Sequence, residues 1–230
     1  MIEIKRREDG QVLMRFDADS LQGLQLSNTD FSGTDLAGLD FSGADLRNCN
    51  FNDSDCRDTN FSRASLTNSV FNRVHMQHAV LDGADLTDAA FHGTTATGVM
   101  ARKVSLRHSK VNQCDFSGSD FSNSDASFST MHGNFHGTCW NHANIYGVDF
   151  ERADLTDADL RDSDMTNAQI AGAKMNGARM EGTTGVYGQK FGSTGPFKLR
   201  KAAQAMVDAV GEDRVVDRLN LSQDRVAAAR

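Results

Sequence analysis

Large apolar side chains recur at every fifth position along this chain. Phe16, Leu21, Leu26, Phe31, Leu36, Phe41, Leu46, Phe51, Cys56, Phe61, Leu66, Phe71, Met76, Leu81, Leu86 and Phe91 follow one another without a gap. The register continues through Ala96, Ala101, Leu106, Val111, Phe116, Phe121, Ala126 and Met131, then slips by one residue. It resumes at Phe135, Trp140, Ile145, Phe150, Leu155, Leu160, Met165, Ile170, Met175 and Met180. Of the 14 Phe, only Phe128, Phe191 and Phe197 stand off it. A spacing of five is neither the period of a helix nor that of a strand, so it marks an internal repeat.

Two further columns travel with the first. Two residues before the large position the side chain is small, as at Ala44, Ser54, Ala64, Ala84, Ser119, Ala153 and Ala178. One residue before it, Asp is favoured, as at Asp30, Asp45, Asp55, Asp85, Asp120 and Asp154. The unit is small-Asp-(Leu/Phe)-x-x, exemplified by Ala44-Asp45-Leu46-Arg47-Asn48. This unit resembles the A(D/N)LXX consensus of the pentapeptide-repeat proteins, and the resemblance covers about residues 16–185. It implies an all-β fold, a right-handed quadrilateral parallel β-helix in which four pentapeptides make one coil. The large and small columns then point inward and the other three positions outward. A narrow tube has room for one large and one small side chain per edge. The expected core is Phe31, Phe41, Phe51, Phe61, Phe71, Phe116, Phe121, Phe135, Trp140, Phe150, Leu155 and Leu160. About eight coils, stacked at about 4.8 Å, make a rod roughly 40 Å long. Such a stack needs a cap at each end.

The flanks supply candidate caps. Residues 1–15 read as a β-hairpin, with Ile2 to Lys5 and Val12 to Phe16 alternating around a Glu8-Asp9-Gly10 turn. Past residue 185 a Gly-rich connector, residues 186–196, leads to a segment with helical period. Leu199, Ala202, Ala203, Met206 and Val210 make one apolar stripe there. Residues 197–230 are expected either to cap the last coil or to cap it and form a homodimer, as resemblance to the quinolone-resistance members implies. Two places depart from the pattern. Around residues 94–111 the large column falls to Ala96 and Ala101 while Val99 and Val104 fill the small column, so these coils are expected to be repacked or bulged. The slip between Met131 and Phe135 is expected to distort or kink the rod.

Composition narrows the function classes. The 230 residues carry a net charge of −7, 7% aromatics and one Pro. No apolar run is long enough to span a membrane, and the first residues contain no secretory h-region. The four cysteines lack CxxC spacing, consistent with a reducing, cytoplasmic setting. The acidic balance argues against direct nucleic-acid binding. No Gly-rich phosphate loop, GxSxG or HExxH is present, and the reading is non-enzymatic with no cofactor. His132, His136 and His142 cluster around Cys139, but a square coil places them on different edges, so a metal site is not expected. Cys49, Cys56 and Cys114 fall in the inward columns and read as packing residues.

Charge is segmental. Residues 21–60 are net −5, residues 61–111 net +3 and residues 112–180 net −6. Most Asp of the column before the large residue are expected to hydrogen-bond within the turn. The acidic end, Asp115, Asp120, Asp125, Asp149, Asp154, Asp159 and Asp164, is the candidate binding face. Resemblance to the DNA-mimic members implies DNA gyrase or topoisomerase IV as partner, although the basic middle suits a whole-length mimic poorly. The alternative is a scaffold or adaptor using the outward apolar residues Val70, Val80 and Met100, of which Val80 and Met100 should stack one coil apart.

Overall fold

The computed structural model describes residues 1–185. The expected connector and helical tail, residues 186–196 and 197–230, lie outside the described residues. The chain opens with a hairpin of β1 (Ile2–Arg6) and β2 (Val12–Phe16), antiparallel, with Ile2 opposite Phe16 and Ile4 opposite Met14. Gly10 takes φ 71° in the turn, a left-handed conformation that costs glycine no Cβ clash. β1 then pairs antiparallel with β3 (Thr34–Asp35), Lys5 facing Asp35 and Arg6 facing Thr34. The hairpin thereby occupies an edge of the first coil, and Ile4 is fully buried beneath it. Phe16, although in phase with the five-residue period, is the last residue of β2 and only partly buried.

Beyond the hairpin the chain winds in four-sided coils of twenty residues. β4 (Val70–Asn72), β5 (Ala90–His92), β6 (Lys110–Asp115) and β7 (Thr130–Asn134) form a parallel sheet, β5 sitting twenty residues beyond β4 and β6 twenty beyond β5. On the other sides the pairing is a single bridge per coil. Examples are Gln25 to Asp45, Asp40 to Asn60 and Val80 to Met100, and the bridges continue to Asp164 and Thr184. Each side therefore presents one residue of the Asp column to the coil above and below.

The pentapeptide explains the corner. Two residues past each large side chain the backbone turns left-handed, as at Asn28 (φ 62°), Gly33 (φ 63°), Asn48 (φ 57°) and Asp53 (φ 60°). Gly, Asn and Asp tolerate that conformation best. The next amide often closes the turn, as Ala44 N donates to the Phe41 carbonyl at 3.0 Å. The Asp column has its own local reason. Asp30 Oδ1 accepts from Ser32 N at 3.0 Å and Asp40 Oδ1 from Ser42 N at 2.9 Å, the Asx-turn that lets a short side chain brace its own backbone.

Inside, the large column stacks into aromatic ladders. Phe31, Phe51, Phe71 and Phe91 lie ring over ring at 5.2, 4.8 and 4.8 Å. On another side Phe121 stacks on Trp140 at 4.4 Å. All the core residues expected above are at most 3% exposed. The Val/Ala coils are repacked rather than bulged. Ala96, Val99, Ala101 and Val104 are all buried, and the bridges Thr95 to Asp115, Met100 to Asp120 and Ser105 to Asp125 keep the twenty-residue step.

The slip is absorbed at one corner. Asn112 pairs with His132 but Cys114 pairs with Gly133, so Gln113, the left-handed residue of its own coil, has no counterpart above it. Bridges that span the gap step by nineteen, as Asp120 to Cys139, and the step returns to twenty at Asn134 to Asp154. Phe116 and Phe135 still stack at 5.8 Å with rings 2° from parallel. The inward columns are thus continuous through the irregularity.

Candidate functional site

The seven candidate carboxylates follow the winding of the chain, so they lie on all four sides rather than on one. Asp115 and Asp154 share a side, as do Asp120 with Asp159 and Asp125 with Asp164, while Asp149 lies on the fourth. Within a side, a neutral residue separates the acids: Asn134, Cys139 or Asn144. Asn134 Nδ2 donates to Asp115 Oδ1 at 3.0 Å and Asn144 Nδ2 to Asp125 Oδ1 at 3.1 Å. These neutral spacers avoid stacking like charges directly on one another.

Each carboxylate accepts from the amide two residues on in its own turn, Asp159 from Arg161 N at 3.3 Å. Asp115, Asp120 and Asp125 accept from the amides of Ser117, Ser122 and Ser127, and Asp149, Asp154 and Asp164 from those of Glu151, Thr156 and Thr166. Some also meet cations. Arg161 Nη2 lies 2.6 Å from Asp159 Oδ2, with Arg179 Nη1 at 3.4 Å, and Lys174 Nζ lies 3.0 Å from Asp154 Oδ2. The Arg161 hydrogen bond holds the Asp159 carboxyl below its ordinary range. Asp154 and Asp164 are also lowered. Partial burial opposes this in both, and hydrogen bonds from Thr156 and Lys174 in the first and from Thr166 and Thr184 in the second outweigh it.

Val80 and Met100 bridge directly, one coil apart on one side of the rod. Val70 lies on the opposite side, bridged to Asn50, so the three do not form one patch. Met100 is 42% exposed, whereas Val70 and Val80 are half-buried. In the basic middle Arg102 is paired with Asp82. Among the described residues no carboxylate pairs with Lys103, Arg107 or Lys110.

His132, His136 and His142 belong to three successive sides, and Cys139 sits in a bridging position between Asp120 and Asp159. Among the described residues no three His, Cys, Asp or Glu side chains gather closely enough to hold a metal ion. Burial pushes the Cys49 thiol up to about 11 and the Cys56 thiol up to about 12, which keeps both as unreactive packing groups at neutral pH. An open groove of about 650 Å³ lies beside the hairpin, lined by Arg6, Arg7, Glu8, Ser32, Gly33 and Asp53. Its cations are engaged, Arg6 by Asp9 and Arg7 by the Asp53 carbonyl.

One surface feature escaped the sequence reading. Phe128 stands at a left-handed corner, φ 60°, and is 56% exposed. Its signal was available as a lone aromatic in a column otherwise filled by Gly, Asn, Asp and other polar residues.

The family profile for a pentapeptide repeat region matches residues 24–101 and 44–121, and that for eight copies of the pentapeptide repeat matches residues 143–182. The chain is a pentapeptide repeat protein. Solved pentapeptide repeat structures align with this repeat protein over most of their length. QnrB1, a plasmid-mediated fluoroquinolone resistance protein, is 19% identical over 72% of this chain and 90% of its own, with TM-score 0.36. HetL, involved in heterocyst differentiation regulation in the cyanobacterium Nostoc, is 22% identical over 71% and 88%, with TM-score 0.26. A thylakoid-lumen member from Arabidopsis thaliana is 25% identical over 59% and 70%, with TM-score 0.22. No curated protein sequence matches this chain. Among the described residues no helix is long and apolar enough to cross a membrane.

Proposed function

We propose that this is a non-catalytic, cytoplasmic rod that binds a protein, and that its acidic half presents carboxylates in place of DNA phosphates to a type II topoisomerase, DNA gyrase or topoisomerase IV. It does not itself bind nucleic acid. The observation that carries the reading is charge density on a regular scaffold. Residues 112–180 hold ten acidic and four basic side chains, and at about 4.8 Å per coil they occupy about 17 Å of axis. That is roughly one carboxylate per 1.7 Å, close to the phosphate density of duplex DNA, and roughly one net charge per 2.8 Å. The carboxylates also surround the rod and are braced by backbone amides, so little side-chain entropy is lost when they meet a cationic groove.

The test is a gyrase supercoiling assay with the whole chain, with and without a quinolone. Under this reading the wild-type protein alters supercoiling, competes with DNA and loses its effect as salt rises. Replacing the seven Asp by Asn abolishes the effect while the chain stays folded, its melting temperature lowered only by the loss of the ion pairs at Asp154 and Asp159. A wild-type protein without effect under either condition refutes topoisomerase mimicry. A second reading, an adaptor surface, is favoured by the exposure of Met100 beside Val80. There, Val80→Asp with Met100→Asp releases a protein partner that the Asp-to-Asn variant still captures.

A further inference from the structure

The corner at Phe128 combines features that neither the repeat nor the acidic half requires. The left-handed corner itself belongs to the repeat, and Arg63, His78 and Lys103 adopt it too; what is particular here is a Phe whose ring is mostly in water. The surroundings fix it there. The ring stacks on His108, one coil below, at 5.6 Å with planes 8° apart. Tyr146, one coil above, meets it edge-on at 5.3 Å. The tyrosine is held in turn, because Asn167 Nδ2 donates to its hydroxyl at 2.8 Å. Gly147 leaves the needed space, since a Cβ there would lie 3.1 Å from Phe128 Cδ1. Three successive coils thus contribute to one exposed aromatic ridge.

Charge reverses sign across this ridge. The coil below carries Arg107 and Lys110, neither paired with a carboxylate among the described residues. The coil above carries Asp149 and Glu151, with Arg152 beyond them at the next corner. A half-turn about an axis perpendicular to the rod at Phe128 maps the lower coil of one molecule onto the upper coil of another. Lys110 of one copy then faces the acidic pair of the second, the two Phe128 rings meet at the axis, and Arg107 approaches the other copy's Tyr146. A parallel arrangement would instead set the basic coil of one copy against the basic coil of the other. We propose that the ridge of His108, Phe128 and Tyr146 is the two-fold contact of an antiparallel homodimer of this chain. Such isologous contacts demand a surface that is its own complement, and few surfaces change charge about a central aromatic in this way. A strip a few coils long is smaller than the interface of a tight dimer, so association is concentration-dependent. The dimer is independent of topoisomerase binding and of any contact made by residues 186–230.

Sedimentation velocity of the full chain over a wide concentration range tests it. Wild-type protein shifts from 25.0 kDa toward twice that mass as concentration rises. Phe128→Asn, which suits the left-handed corner, stays monomeric and melts no lower than wild type. Lys110→Glu and Glu151→Lys each weaken association about tenfold, and the double variant regains it because the attraction is restored with its sign reversed. A wild-type chain that stays monomeric, or a dimer unmoved by Phe128→Asn and by both single reversals, overturns the proposal.

Discussion

Two regions break the repeat, and they break it differently. In the coils around Ala96 to Val104 the large and small residues change places, yet every bridge keeps its twenty-residue step. Between Met131 and Phe135 a whole residue is missing, yet the aromatic stacking runs straight through. The lumen is sensitive to volume and indifferent to which of its two columns supplies it. The corner is sensitive to backbone path and can lose its left-handed residue provided the side chain beside the gap also disappears. Gly133 meets that condition. A Cβ on it would collide with the Cys114 carbonyl oxygen.

The largest expected effect is a charge in the lumen. Leu155 is fully buried, so Leu155→Asp strands a carboxylate among apolar side chains and costs more than about 4 kcal/mol. Thermal melting by far-UV circular dichroism should show that loss, with Thr156→Asp, one position outward, nearly neutral. Equal effects would mean that the inward columns are misassigned.

Gly133→Ala comes next. Its methyl meets backbone rather than a yielding side chain, and relief requires the two coils to part locally, at about 1–3 kcal/mol. Inserting a Gly between His132 and Gly133 restores the five-residue corner and should rescue the Ala variant. Failure of that rescue would locate the intolerance elsewhere than in the missing residue.

The Val/Ala exchange calls for a smaller test. Val99→Ala leaves a hole beside Ala101 and should cost roughly 1–2 kcal/mol in chemical denaturation. Val99→Ala combined with Ala101→Val returns the volume in the ordinary order and should recover most of that loss. If the double variant is no better than the single, the lumen discriminates between columns and the contrast with the corner weakens.

The smallest effect is that of pH. The carboxyls of Asp55, Asp154, Asp159 and Asp164 are held below their ordinary value of 3.8. Groups whose folded pKa is depressed add stability that is present above the unfolded value and lost as pH falls through the folded one. Melting temperature should therefore be insensitive to these groups from neutrality down to about pH 5, declining below about pH 4. A steep loss between pH 7 and 5 would point to other groups.

Much of this was readable from residues alone. The five-residue period identified the columns that fill the lumen, because a solenoid repeats each environment and the sequence must repeat with it. Alternation around Asp9-Gly10 marked the hairpin. The Asp column was also legible, since its Asx hydrogen bond spans two residues. What the sequence could not decide involved contacts between coils. Whether Ala96 to Val104 would bulge depended on volumes contributed from above and below. Whether the slip would break the stack depended on one carbonyl, that of Cys114, nineteen residues back in the chain and one coil below in the ladder. The acidic residues wind onto four sides because a corner intervenes every five residues, and the partners that neutralise or space them come from the next coil. Phe128 is the clearest case. In sequence it is an aromatic out of register, while its stacking on His108, its contact with Tyr146 and the space left by Gly147 arise only when coils are laid upon one another. Local periodicity fixes where each side chain points, and only the stacking of distant segments determines what it meets there.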